Sequence, residues 1–177
     1  MFLYLGLECT VGGWISSYAV LMGVTNNKGA TVFAGLFWTL KTTFMLVLTF
    51  APGNASQKLK ILILAMAGSG IIALLIVYAG YPLMACYIGS ILYGASASSM
   101  YPLIMSFAVE EGLNIEEHQT ANILIAGVLS EGVLTTLVGV LIDWIHPNMF
   151  FYSLVAFSGM MWLVCQYCFH LIHAQKA

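Results

Sequence analysis

The sequence predicts an all-α membrane protein with six transmembrane helices in a single domain. Three observations predict it. Of the 177 residues, 61% are hydrophobic and only 7% are charged. A soluble domain has roughly 45–50% apolar and about 25% charged residues, so this chain lacks the polar groups to cover a surface in water. The chain also divides into stretches of about 20 or more mostly apolar residues, the length that crosses a bilayer. None of them alternates apolar and polar residues as barrel strands do, and a helix satisfies all its own backbone groups in lipid.

The elements follow in order. The first span covers 1–24 and ends at Thr25-Asn26-Asn27-Lys28-Gly29. The second covers 30–50 and is cut by Ala51-Pro52-Gly53-Asn54-Ala55-Ser56. The third, 59–79, ends at the tight turn Gly80-Tyr81-Pro82, with Pro82 suited to a first helical turn. The fourth runs over 82–109, and Pro102 inside it predicts a kink. Glu110–His118 is the longest polar loop. The fifth span covers 119–144, the turn His146-Pro147-Asn148 follows, and the sixth covers 149–172.

Six spans put both ends of the chain on one side. That side carries Lys58, Lys60 and Lys176, and the other only Lys28, so the positive-inside rule places the termini in the cytoplasm. The Asn54-Ala55-Ser56 acceptor then lies on the cytoplasmic side and is expected to be unmodified. No basic leader precedes the first apolar run, so no cleavable signal peptide is expected. The chain has no arginine, and its net charge is −2. A nucleic-acid partner is not expected on that balance. Cys9, Cys86, Cys165 and Cys168 all fall in apolar segments and read as packed or lipid-facing thiols, not as a metal or redox set. No metalloprotease, phosphate-loop or catalytic-triad pattern stands out, so an enzyme is not expected.

Three ionisable residues sit well inside spans: Glu8, Lys41 and Glu131. A charge at a helix centre costs about 2.5–3.5 kcal/mol on insertion scales. Such residues face the bundle interior, pair, or line a watery cavity. Lys41 is expected to pair with Glu131 or with Glu8, either as part of a site or only to fix helix packing. Asp143 beside Trp144 reads as interfacial, and so do His170 and His173. Ser90, Gly94 and Ser98 repeat at a spacing of four and predict a face where another helix approaches closely. Gly127, Gly132 and Gly139 thin the fifth span. Trp14 and Trp38 lie inside spans among serines and threonines, where an aromatic face can stack on a sugar ring. Ile15-Ser16-Ser17-Tyr18-Ala19-Val20 resembles Ile104-Met105-Ser106-Phe107-Ala108-Val109, a hint of two related three-helix units.

Four stretches carry a family resemblance: YLGLECTVGGWISSYAV (4–20), GLFWTLKTTFMLVL (35–48), YGASASSMYPLIMSFAVE (93–110) and TANILIAGVLSEGVLTTLVGVLID (120–143). In order and spacing they resemble the seventh, eighth, tenth and eleventh helices of major facilitator superfamily transporters. The branch they most resemble is the sodium-dependent glucose transporter-like proteins, relatives of fucose permease. The resemblance implies the carboxy-terminal half of such a fold, built of two three-helix units. It implies transport of a sugar or similar small solute by alternating access, coupled to Na+ or H+ and needing no other cofactor. By position, Glu8, Trp14, Trp38 and Glu131 would line the cavity. Where the family usually has an arginine in its eighth helix, this chain has Met45. Lys41, one turn earlier on the same face, is placed to supply the charge, without arginine's fork. A full transporter sets its site between two six-helix halves. The expected partners are therefore the lipid bilayer, the solute, and a second half, a second copy or a larger membrane complex. The alternative role is a transport-inactive structural subunit of such a complex.

Overall fold

The structure, a computed structural model, describes residues 1–112 and 116–176, and of residues 173–176 only the backbone. The described residues form seven helices and no strand: α1 (Phe2–Leu21), α2 (Asn27–Phe50), α3 (Ala55–Tyr78), α4 (Pro82–Ser96), α5 (Met100–Glu110), α6 (Glu117–Trp144) and α7 (Met149–Lys176). With α4 and α5 taken as one stretch, five helices among the described residues are long and apolar enough to cross a membrane. The remaining helix, α1, is long enough but carries Glu8, Thr10, two serines and three glycines. The chain thus has the features of a multi-pass integral membrane protein whose solvent is lipid. Of the loop expected at 110–118, Leu113, Asn114 and Ile115 lie outside the described residues, as do the side chains of His173 and Lys176.

The helix ends differ from the sequence expectation by a few residues, for local reasons. α2 starts at Asn27 because the Asn26 side chain accepts the Gly29 N–H at 2.9 Å, an N-cap that the apolar count alone overlooks. α3 starts four residues earlier than expected. The Glu110 carboxylate accepts its first amide, Ala55 N–H, at 2.9 Å. Lys58 in its first turn donates to Ala51 O (2.5 Å) and Leu48 O (3.3 Å), satisfying carbonyls at the end of α2. α6 opens with a reciprocal capping box between Glu116 and Gln119.

The fourth span is the main correction. A kink at Pro102 inside one helix was expected. The helix instead breaks at Ala97–Ser99, and Ser99 takes a left-handed backbone (φ 52°). Pro102 then falls in the first turn of α5, where its missing N–H leaves no bond unmade. Breaking a helix in lipid frees backbone groups that need partners. Tyr93 O and Ala95 O keep backbone partners, Ala97 N–H (2.8 Å) and Ser98 N–H (3.4 Å), and each also accepts a serine hydroxyl, Ser96 Oγ at 3.1 Å and Ser98 Oγ at 2.6 Å. From α1, the Tyr4 hydroxyl donates to Ala97 O at 3.1 Å.

The helix packed most widely against the others is α1. It contacts α6, α2, α7 and α4, while α3 packs on α4, α5 and α7. In a membrane this packing cannot rest on the hydrophobic effect between helices. It rests on close approach at small residues. Ser90, Gly94 and Ser98 are all buried, as the spacing of four predicted. A Cβ on Gly94 would stand 2.6 Å from Phe37 O, so α2 and α4 touch backbone to backbone there. Gly127 and Gly139 of α6 lie under Leu5 and Trp14 of α1, whereas Gly132 faces open space. At the far end of α1, Tyr18 stacks on Phe150 and meets Phe151 edge-on, and its hydroxyl donates to Asn148 Oδ1 at 3.1 Å.

Candidate functional site

The site is built on the antiparallel pair α1 and α2. Glu8 lies six residues after the start of α1, and Lys41 nine before the end of α2. Antiparallel packing brings these positions to one level. Lys41 Nζ donates to Glu8 Oε1 and forms an ion pair with it. The side chain of Glu8 is 7% exposed and that of Lys41 is 19% exposed, so the carboxylate is the deeper partner. Of the two pairings expected for Lys41, the one with Glu8 forms. No ion pair joins Lys41 to Glu131 among the described residues.

Around this pair the geometry is uneven. Glu8 Oε1 has the lysine, but Glu8 Oε2 is buried without a hydrogen-bond partner. A buried carboxylate oxygen left unpaired costs free energy, about 1–3 kcal/mol for a neutral group and more for a charged one. The Tyr4 hydroxyl, one turn before Glu8 on the same face, lies beside the carboxylate. That hydroxyl is the one bonded to Ala97 O, so Glu8 stands next to the broken part of the fourth span. Glu131 is partly buried on α6, beside the Cys9 thiol, and Cys9 also lies within the electrostatic reach of Glu8 and Lys41. Glu8 and Lys41 are thus paired, and Glu131 lies on the Cys9 side of α1.

The two tryptophans take different roles. Trp38 is 42% exposed, lies against Gly12 of α1, and has Lys41 Nζ 4.9 Å from its ring centroid. That is cation–π distance. Trp14 is partly buried against Gly139, and its Nε1–H donates to Thr135 O at 3.0 Å. Its ring edge is committed to the α1–α6 contact.

A cleft of about 400 Å³ opens where α1, the start of α2 and the end of α6 meet. It is lined by Trp14, Ser16, Ser17, Asn27 and Asp143, among others. Asp143, expected at the interface, is exposed and faces this cleft. Sequence reasoning missed Tyr4, Cys9, Asn27 and the helix break as parts of the site. One signal was present for Tyr4, its place four residues before an in-span carboxylate. For Asn27 there was none, because its position depends on how α2 starts. Among the described residues no cluster of His, Cys, Asp and Glu could hold a metal ion. Compared with protein-family models, curated proteins and solved structures, the chain matches none.

Proposed function

We propose that the chain is half of a membrane carrier that moves a sugar or similar small polar solute by alternating access, coupled to a cation. The observation that supports it best is the Lys41–Glu8 ion pair, buried between helices with Glu131 close by. Ionisable groups at such depth are costly to insert and mark ion or substrate pathways. A cleft at the end of α1 offers polar groups a sugar needs, the Ser16 and Ser17 hydroxyls, the Asn27 amide and the Asp143 carboxylate. The likeness of four helices to the major facilitator superfamily supports the same reading and suggests the six-helix half with its two three-helix units. On this reading Glu8, Lys41, Trp38 and Glu131 form the coupling site, Trp14 and Asp143 border the solute, and the chain is not an enzyme. Alternation needs a second six-helix body, either a separate half or a second copy.

A second reading is favoured by one observation. The outer face of α6 presents Val128, Leu129, Val133, Leu137 and Val140 to a broad groove. So apolar a face suits lipid or a packed neighbour better than a solute, as a structural subunit of a larger complex would need. One experiment separates the two. The protein is purified in mild detergent, its mass measured, and radiolabelled sugar uptake assayed in liposomes. Uptake that falls at least about tenfold in Glu131→Gln is the carrier result. A fixed position in a large complex with no uptake contradicts it.

A further inference from the structure

We propose that the groove between α2 and α3 holds one acyl chain of an anionic phospholipid, and that Lys58 at its mouth binds the phosphate of the headgroup. The site lies apart from the ion pair and the cleft, and it holds whether or not the chain moves a solute.

The groove follows from how these helices pack. α2 and α3 both pack on α4 rather than on each other. The space between them, about 530 Å³, is lined by Phe44 and Leu48 of α2, by Ile61, Ala65, Gly68 and Ile72 of α3, and by Leu92 and Ala95 of α4. The α3 residues recur at spacings of three and four, so they form one stripe. Gly68 lies within that stripe, and a Cβ there would meet nothing within 4 Å. Two hydroxyls also line the groove, Ser69 and Ser96. Both donate to carbonyls of their own helices, Ser69 to Met66 O at 2.8 Å and Ser96 to Tyr93 O at 3.1 Å. What remains suits hydrocarbon better than a polar solute.

Length points to the occupant. From Ile61 to Ile72 the stripe rises about 16 Å, at roughly 1.5 Å per residue. A bilayer's hydrocarbon core is about 30 Å thick, so the groove is as deep as one leaflet. A partner helix would ask for a face along the whole span. An acyl chain asks for one leaflet.

Charge names the headgroup. Lys58 continues the stripe one turn before Ile61 and Leu62, in the first turn of α3. Its ammonium donates to Ala51 O at 2.5 Å and to Leu48 O at 3.3 Å, which holds it beside the groove at the end of α2. An ammonium has three donors, and these bonds leave one free. Among the described residues no carboxylate pairs with Lys58, and none lines the groove. Glu110, which meets the start of α3 from α5, is engaged with the Ala55 amide. Lys60 turns to α7, with its Nζ 4.3 Å from the Phe169 ring centroid. An unpaired ammonium at the end of an apolar groove complements an anionic lipid, and basic pockets between spanning helices bind such headgroups.

The test uses the whole chain, stripped of lipid in mild detergent. Dioleoyl phosphatidylglycerol is titrated in, and bound lipid is counted by native mass spectrometry. Dioleoyl phosphatidylcholine has the same chains without net charge, and glycerol phosphate has the phosphate without chains. The expected result is one saturable phosphatidylglycerol per protein chain, with phosphatidylcholine at least about fivefold weaker, the worth of one lysine near an anionic lipid. Glycerol phosphate should not be retained. Lys58→Gln should abolish the preference, while Lys58→Arg and Lys60→Gln should keep it. Gly68→Leu fills the groove and should weaken both lipids by about tenfold or more, the loss of two or more buried methylenes. Its melting without lipid should be unchanged, so this variant tests the groove even if Lys58→Gln folds poorly. Equal binding of the two lipids, a preference that survives Lys58→Gln, or one lost equally in Lys60→Gln overturns Lys58 as the headgroup site. Binding untouched by Gly68→Leu, many lipids without saturation, or glycerol phosphate held as well as the lipid overturns the groove.

Discussion

The indole of Trp14 lies on Gly139, and that of Trp38 lies on Gly12. Each tryptophan depends on a glycine in the facing helix, and this makes the packing testable residue by residue. A side chain at Gly139 would collide with the Trp14 ring and strain its hydrogen bond to Thr135 O. Gly139→Val should therefore lower stability by about 1–3 kcal/mol, the usual cost of overpacking. Gly132, seven residues earlier, faces open space. Gly132→Ala should leave stability unchanged or raise it by up to about 1 kcal/mol, the helix-propensity difference. Melting curves in mild detergent read both changes, and equal losses would contradict the packing described. At this scale the sequence was partly legible. Glu8, Lys41 and Glu131 stood out because charge is rare in a span. Which carboxylate Lys41 would take was not legible, because it depends on how α1 and α6 rotate against α2. The tryptophans were visible as in-span aromatics, but the glycines that seat them are far off in the chain.

The fourth span shows how an element-level reading can be right in kind and wrong in place. Proline signalled a disturbance near residue 102, and the break lies three to five residues earlier. The reason is bonding: interrupting the helix before Pro102 turns an interior proline into a first-turn one. Serines at 96 and 98 then add second hydrogen bonds to the last carbonyls of α4, and Tyr4 caps Ala97 O. Ser98 was read as a small surface for packing, and its hydroxyl serves as a hydrogen-bond donor too. Two outcomes follow. Ser99 holds a left-handed backbone, which costs a non-glycine residue roughly 1–2 kcal/mol. Ser99→Gly should therefore raise the melting temperature, and Ser99→Val should lower it. Pro102→Ala should change stability by less than about 1 kcal/mol, since a proline in a first turn is already well tolerated. A large loss in Pro102→Ala would mean that the proline, and not the serines, holds the break open.

On the scale of the whole molecule, the number and order of the long helices were legible, because length and apolarity are local properties, with α1 outside the five that are apolar enough to cross a membrane among the described residues. That α1 would be the centre was not. Its carboxylate, hydroxyls and glycines fit its position: it is buried among other helices, where polar and small residues find partners. The orientation drawn from the lysine count predicts that a reporter cysteine at Ser56 labels from the cytoplasm, and one at Pro147 from the opposite side. The reverse pattern would invert the topology. Everything proposed for the site depends on one feature of the assembled bundle, the buried ion pair between Glu8 and Lys41. Its most direct test is a double-substitution cycle, with melting read in mild detergent for Glu8→Gln, Lys41→Gln and both together. Removing one partner of a buried pair leaves an uncompensated charge and costs about 3–5 kcal/mol, while removing both restores neutrality. The account predicts that each single variant melts well below the wild type and that the double variant recovers most of the loss. Single losses that simply add in the double variant would contradict it.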